Sequence, residues 1–249
     1  MNRSSRLLEH GRVWLDWLKT REPLVLLAVL AIVAGLWVFV EIADEVLEGE
    51  RVTLETRLIR AFRDPDNLHR PIGPVWMEET VRDITALGGV AVLLLTSGAV
   101  CGFLWLARKR RMALAVSAAV LGGMLASTLL KQTFERPRPD VVPPLVTVHS
   151  PSFPSGHSLM SAVVYLTLGA LVATVVEGRR LKAYVTAVAM LLTLLIGLSR
   201  VYLGVHWPSD VLAGWTAGLV WALLCWLLIR LLQAEGQVEA EAGRTPAGG

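Results

Sequence analysis

The chain of 249 residues is 54% hydrophobic and only 18% charged, whereas a soluble domain carries about 25% charged residues. Long uncharged runs account for the difference, so the composition leaves no room for a large separate soluble domain and favours one integral membrane domain. The net charge of +3 does not indicate a nucleic-acid partner, because much of the basic excess flanks the apolar runs and no array of aromatic residues accompanies it.

Six apolar runs are long enough to be transmembrane helices, since about 20 residues cross the ~30 Å hydrocarbon layer. They cover residues 23–43, 84–107, 112–130, 157–176, 182–199 and 209–232. Backbone polar groups inside a bilayer must be satisfied within each segment. The predicted fold class is therefore all-α, an integral membrane bundle of six transmembrane helices.

The domain organisation follows from these runs. We expect a cytoplasmic N-terminal segment over 1–22, a membrane domain over 23–232 with an external loop at 44–83, and a disordered tail rich in Ala, Gly and Glu over 233–249. The first run lacks a convincing cleavage site and is interpreted as an uncleaved anchor helix.

Short basic segments predict the orientation of the bundle. Basic residues precede the first run and fill the connections at 108–111 and 179–182, and such residues collect on the cytoplasmic side. We expect a multi-pass protein of a bacterial-type cytoplasmic membrane. The periplasmic or external face then receives segments 44–83, 131–156 and 200–208.

The external loop contains its own amphipathic pattern. Leu54, Leu58, Ile59 and Phe62 recur at helical spacing among charged residues, which predicts a short helix on the membrane surface that ends before Pro65. Two roles remain open for this loop: it admits lipid tails, or it is a packing cap.

Two pairs of small residues inside the runs favour structural roles. Cys101 and Cys225 are interpreted as unpaired thiols within the membrane. Gly214 and Gly218 form a small-xxx-small pair, which favours close packing between helices of one chain. Dimerisation is the weaker alternative, and the oligomeric state stays open.

Three cations stand where the chain leaves an apolar run. Lys131, Arg138 and Arg200 can bind a phosphate, because positioned positive charges stabilise the oxygens of a transferring phosphoryl group. Snorkelling at the membrane interface explains one such residue well but three poorly. Arg136 also precedes a proline and competes with Arg138 for this role.

The segment Pro154–His157 directly precedes the fourth run. Gly156 allows an anion to approach the backbone closely, and the helix that follows presents free N–H groups to it. Ser155 before a helix is also an ordinary N-cap, so this segment alone is a weak signal.

His206 and Asp210 are four residues apart, at the start of the last run. A carboxylate on one ring nitrogen fixes the tautomer and leaves the other nitrogen as a nucleophile. His157 is then available to protonate a leaving alkoxide. A helix-capping pair is the alternative for His206 and Asp210, and His149 has no comparable partner.

These residues resemble the type 2 phosphatidic acid phosphatases, the membrane branch of the vanadium haloperoxidase-like fold. The family pattern is Lys-x6-Arg-Pro, Pro-Ser-Gly-His and Ser-Arg-x5-His-x3-Asp. Its matches here are Lys131 with Arg138-Pro139, Pro154–His157, and Ser199-Arg200 with His206 and Asp210. The resemblance covers residues 84–232. Its spacing favours Arg138, and it leaves Arg136, Glu135 and Asp140 as solvated loop charges.

The resemblance implies a phosphatase without metal or other cofactor. It implies that His206 forms a phosphohistidine, Asp210 orients it and His157 is the acid. The phosphoryl oxygens are held by Lys131, Arg138, Ser155, Gly156 and Arg200. The expected substrate is a membrane lipid phosphate or pyrophosphate, such as undecaprenyl pyrophosphate, phosphatidylglycerophosphate or phosphatidic acid.

Two other functions use the same pocket differently. A membrane binding or transport protein would hold a phosphorylated lipid without cleaving it, but binding alone needs neither nucleophile nor acid. A haloperoxidase would hold vanadate there, and the six spans disfavour it.

Overall fold

The computed structural model describes residues 23–49 and 52–234. The predicted cytoplasmic segment 1–22 lies outside these residues. The predicted tail 233–249 does too, except for its first two residues, which belong to the last helix.

Helices make up almost all of the described chain. They are α1 (Pro23–Glu48), α2 (Val52–Arg60), α3 (Val75–Ala86), α4 (Val90–Leu106), α5 (Arg110–Phe134), α6 (Gly156–Val175), α7 (Arg179–Tyr202) and α8 (Pro208–Ala234). Helix α6 contains a π-helical turn at Ala162–Leu166. Among the described residues, five helices, α1 and α5 to α8, are long and apolar enough to cross a membrane, and the bent pair α3 and α4 makes a sixth when it is counted as one span. The protein is therefore an all-α membrane bundle, as predicted.

The second span differs from the predicted straight helix over 84–107. Helices α3 and α4 meet at an angle of 48°, and Leu87, Gly88 and Gly89 separate them. A Cβ atom on Gly88 would collide with Ile196 of α7 and come within 3.2 Å of His157 Cδ2. The glycine therefore allows the break to lie directly against α6 and α7.

The external loop forms the predicted helix and a small hairpin. Helix α2 covers the amphipathic stretch, with Leu54 and Leu58 exposed and Ile59 fully buried. Strands β1 (Arg63–Asp64) and β2 (Asn67–Pro71) then pair in antiparallel fashion. The sequence did not indicate this hairpin, because strands this short carry no periodic pattern.

Helix α8 is the centre of the bundle, packed against α1 and α6. A Cβ atom on Gly218 would lie 2.5 Å from the carbonyl oxygen of Leu159, and one on Gly214 would lie 2.7 Å from that of Ser155. The predicted internal use of this glycine pair is confirmed. Cys101 and Cys225 are both free thiols, as expected.

Candidate active site

The three polar segments meet at one end of the bundle. The last turns of α5 and α7 contain Lys131 and Arg200, and the first turns of α6 and α8 contain Gly156 and Asp210. The alternating direction of the helices brings all four to the same end. The backbone N–H of Ser155 donates to the carbonyl of Asp210 at 2.9 Å. The basic segments 108–111 and 179–182, where α4 connects to α5 and α6 to α7, lie at the other end.

His206 and Asp210 form a buried pair. Pro208 begins α8, so His206 lies just before the helix and Asp210 in its first turn. His206 Nδ1 is 3.3 Å from Asp210 Oδ2, and the backbone N–H of Trp207 donates to the same oxygen at 2.9 Å. Burial lowers the pKa of His206 to about 4, although its hydrogen bond with Asp210 opposes this shift. The imidazole is therefore neutral at pH 7.

Arg138 faces the other side of the His206 ring. Its Nη1 donates to His206 Nε2 at 3.2 Å and to the carbonyl of Val205 at 2.5 Å. Its Nε donates to the carbonyl of Ser150 at 2.8 Å. These bonds fix the guanidinium beside the nitrogen that Asp210 leaves free, and burial lowers the pKa of Arg138.

Lys131 and Arg200 complete the set of cations. Lys131 Nζ donates to the carbonyl of Pro151 at 2.6 Å. Arg200 is buried, and its Nη1 donates to Thr85 Oγ1 at 3.0 Å. Its Nε is also buried and has no hydrogen-bond partner among the described residues. Arg200 thus retains a donor for an incoming group.

His157 lies in the first turn of α6, within electrostatic range of His206, Lys131, Arg138 and Arg200. It is the second imidazole of the site, as the sequence predicts. His149 is exposed on a loop and His69 is exposed in β2, and both lie outside this cluster.

The segment before α6 performs the structural role that the sequence also allowed. Ser155 is the N-cap of α6: its Oγ accepts hydrogen bonds from the Ser158 N–H at 3.4 Å and the Ser158 hydroxyl at 2.9 Å. A Cβ atom on Gly156 would lie 3.4 Å from Lys131 Cε. The glycine therefore keeps the space beside the lysine open.

One prediction from the sequence is wrong. Arg136 is not a solvated loop charge but has only 10% of its side chain exposed, and it donates to Asp210 Oδ1 at 2.7 Å and to Glu55 Oε2 at 2.9 Å. Both carboxylates are buried, which makes an arginine between them favourable. Glu135 and Asp140 are exposed, as expected.

Sequence reasoning also missed Glu55, Ser152 and Thr85. The hydroxyl of Ser152 donates to Asp210 Oδ2 and lies 3.3 Å from His206 Nδ1. No local signal marked these residues, because each meets the site only through folding. The one available hint for Glu55 was its place among apolar residues of an amphipathic helix.

Comparison with known proteins gives one consistent result. The model of the PAP2 superfamily matches residues 111–233. Phosphatidylglycerophosphatase B of Bacillus subtilis is 37% identical over 58% of this chain and 71% of its own length. Decaprenylphosphoryl-5-phosphoribose phosphatase of Mycobacterium tuberculosis is 32% identical over 48% of this chain and 63% of its own length.

A solved structure agrees with the sequence relatives. The crystal structure of a transmembrane PAP2-type phosphatidylglycerolphosphate phosphatase from Bacillus subtilis superposes with a TM-score of 0.74, at 29% identity, over 81% of this chain and 96% of that one. The similarity extends beyond the matched 111–233 region and confirms the resemblance drawn from the motifs. The chain belongs to the PAP2 superfamily and is a membrane phosphatase.

Proposed function

We propose that this protein hydrolyses a membrane lipid phosphate or pyrophosphate without a metal ion, through a phosphohistidine on His206. The observation that carries the proposal is the setting of His206. One ring nitrogen is 3.3 Å from Asp210, and the other is 3.2 Å from an Arg138 donor. A neutral, oriented imidazole beside fixed cations is an arrangement for nucleophilic attack on phosphorus.

The first half-reaction follows from these positions. Asp210 accepts a hydrogen bond from the Nδ1–H of His206, so Nε2 carries the lone pair that bonds to phosphorus. The P–O bond to the leaving group breaks, and His157 gives that oxygen its proton. Arg138, Arg200 and Lys131 neutralise the phosphoryl oxygens as charge spreads over them, and the amide of Gly156 is placed to help.

The second half-reaction returns the enzyme to its starting state. His157, now unprotonated, takes a proton from water. The resulting hydroxide bonds to phosphorus, the P–N bond to His206 breaks, and inorganic phosphate leaves. The roles of all these residues, including Ser155 as a further phosphate contact, belong to the proposal.

The substrate class rests on the membrane and on the relatives. A site at the end of transmembrane helices is reached most directly by a headgroup whose tails stay in the bilayer. The names of the two relatives specify a glycerophospholipid phosphate and a polyprenyl-linked phosphate. We propose the same class here, with phosphatidylglycerophosphate, phosphatidic acid and undecaprenyl pyrophosphate as candidates.

The orientation is proposed from charge. The basic connections lie at the end of the bundle opposite to the site, and basic loops stay in the cytoplasm. The active site then faces the periplasm or exterior of a bacterial-type cytoplasmic membrane, and it acts on the outer leaflet.

A phosphate-release assay tests the proposal. Purified full-length protein, treated with chelator, is given a panel of lipid mono- and diphosphates in mixed micelles. We expect turnover of at least one lipid, and we expect His206→Ala to lower kcat by at least about 10⁴-fold. Full activity in His206→Ala refutes the nucleophile, and tight lipid binding without turnover favours a binding protein.

A further inference from the structure

A second charged cluster lies directly behind the His206–Asp210 pair, and the reaction described above does not use it. Arg136 Nη1 donates to Asp210 Oδ1 at 2.7 Å, and its Nη2 donates to Glu55 Oε2 at 2.9 Å. Glu55 Oε1 in turn accepts from the backbone N–H of Ser209 at 2.7 Å. The exposed fractions of Asp210, Glu55 and Arg136 are 0, 3 and 10%. The cluster is almost fully removed from water.

The cluster joins three separate parts of the fold. Glu55 comes from external helix α2, Arg136 from the segment after α5, and Asp210 from the first turn of α8. The Ser209 hydroxyl accepts another bond from Arg136 Nη1 at 2.7 Å, and the guanidinium carbon lies 5.3 Å from the centre of the Trp207 ring. The guanidinium is therefore held at its edge by three oxygen acceptors and across its face by an aromatic ring.

The two oxygens of Asp210 have different partners. Oδ1 binds Arg136, whereas Oδ2 faces His206, Ser152 and the Trp207 N–H. A planar guanidinium fixes a carboxylate in direction as well as in place. This division leaves Oδ2 as the oxygen that Asp210 presents to His206.

We propose that Arg136 and Glu55 are positioning residues of the active site: Arg136 orients Asp210 toward His206, and Glu55 holds Arg136 in place. The inference rests on the proposed function, because it assigns Asp210 and His206 their catalytic roles. Helix α2, which contains Glu55, then helps to position the catalytic groups in addition to packing against the bundle.

Charge distinguishes this role from a purely structural one. The titratable and charged groups that surround His206 and Asp210 are Arg138, Arg200, Lys131, His157, Arg136 and, behind Arg136, Glu55. Arg136→Gln removes a positive charge, so His206 accepts a proton at higher pH. Glu55→Gln removes a negative charge and cannot have that effect.

The test uses full-length protein with phosphatidic acid, phosphatidylglycerophosphate and undecaprenyl pyrophosphate, each in mixed micelles. Four variants are compared with wild type: Arg136→Gln, Arg136→Lys, Glu55→Gln and the control Glu78→Gln, which removes a solvent-accessible ion pair with Arg82. We expect Arg136→Gln and Glu55→Gln to lower kcat about 10- to 100-fold while KM stays within about 3-fold. The acid limb of kcat/KM should rise by about one pH unit in Arg136→Gln and return in Arg136→Lys.

Each outcome decides the matter. The inference is overturned if wild type is active and both Arg136→Gln and Glu55→Gln retain its kcat. It is also overturned if the loss of kcat in both variants only parallels a loss of melting temperature and the acid limb of Arg136→Gln stays at its wild-type pH. A rise of the acid limb in Glu55→Gln overturns it as well. Should Arg136→Gln not fold, a reduced kcat with an unmoved acid limb in Arg136→Lys supports the inference, and a wild-type kcat there overturns it. If wild type and Glu78→Gln turn over no lipid phosphate, the proposed function itself fails.

Discussion

At the residue scale, the nucleophilic role that we propose for His206 ties the lower pH limit of activity to the neutral state of its ring. Its ring is buried, which disfavours the charged form more strongly than Asp210 favours it. A histidine must be unprotonated to attack phosphorus. The buried ring thus stays neutral at pH values where a solvated histidine is already protonated.

We therefore expect the acid limb of the wild-type kcat/KM profile near pH 4, below the usual histidine value of about 6.5. The same shift makes stability fall as pH drops from about 6.5 towards 4, because only the unfolded chain binds the proton in that window. Phosphate release across pH 3.5–8, corrected for ionisation of the substrate, checks the limb. A limb at 6.5 would contradict the pKa assigned to His206.

His157 gives a second prediction at this scale. His157→Gln should lower kcat about 10²- to 10⁴-fold for a lipid alcohol leaving group, because that alkoxide needs a proton. The loss should be much smaller for an aryl phosphate, whose leaving group is stable without one. Equal losses on both substrates would remove His157 from the role of acid.

The residues of the motifs were predictable, and the residues that support them were not. Lys131, Arg138 and His206 occur at the spacings of the family pattern, so the sequence alone predicted that they share one site. Arg136 looked like its solvated neighbours, because the burial of a charge depends on its partners. Its partner Glu55 is 81 positions away in the chain, and only the fold brings the two together.

At the element scale, hydropathy did not predict the break between α3 and α4. A window averaged over an apolar run does not detect a break of three residues when both sides are helical. The break matters because Gly88 lies against His157. The carbonyl of Leu87, at the same place, accepts a hydrogen bond from Tyr165 at 2.9 Å. The bend and the π-helical turn of α6 are thus in direct contact.

Close packing of α8 on α6 gives a prediction about stability. Gly218→Ala should destabilise the protein by about 1–3 kcal/mol, because the added methyl would overlap Leu159 and Ala162. Gly98→Ala in α4 is the matched control, since its methyl meets no atom within 4 Å. Thermal unfolding in one detergent compares them. Equal melting temperatures for Gly218→Ala and Gly98→Ala would show that α8 and α6 accommodate the added methyl without loss of stability.

At the scale of the whole molecule, the fold gathers its reactive groups at one end and leaves basic connections at the other. Six runs, their order and their charge flanks were enough to predict this arrangement. The external loop was less accessible to prediction, since its hairpin is stabilised by contacts with other segments. Arg63 of β1, for example, donates to the carbonyl of Tyr202 at 2.8 Å.

The proposed orientation can be measured on intact cells. In a chain with Cys101→Ala and Cys225→Ala, we expect Asp66→Cys to react with a membrane-impermeant thiol reagent. We expect Glu177→Cys to react only after the cells are opened, because its loop is predicted to be cytoplasmic. Both positions are exposed. The reverse pattern would place the active site inside the cell.

The Glu55–Arg136–Asp210 cluster also has a consequence for biogenesis. Glu55 is translated early, whereas Asp210 is translated only at the start of α8. The cluster therefore cannot form until α8 has been made. A chain that stops before residue 208 contains Glu55 and Arg136 but lacks Asp210, which pairs with Arg136, and helix α8. Because unpaired buried charges are costly, we expect such truncated chains to be degraded faster in cells than the full-length chain.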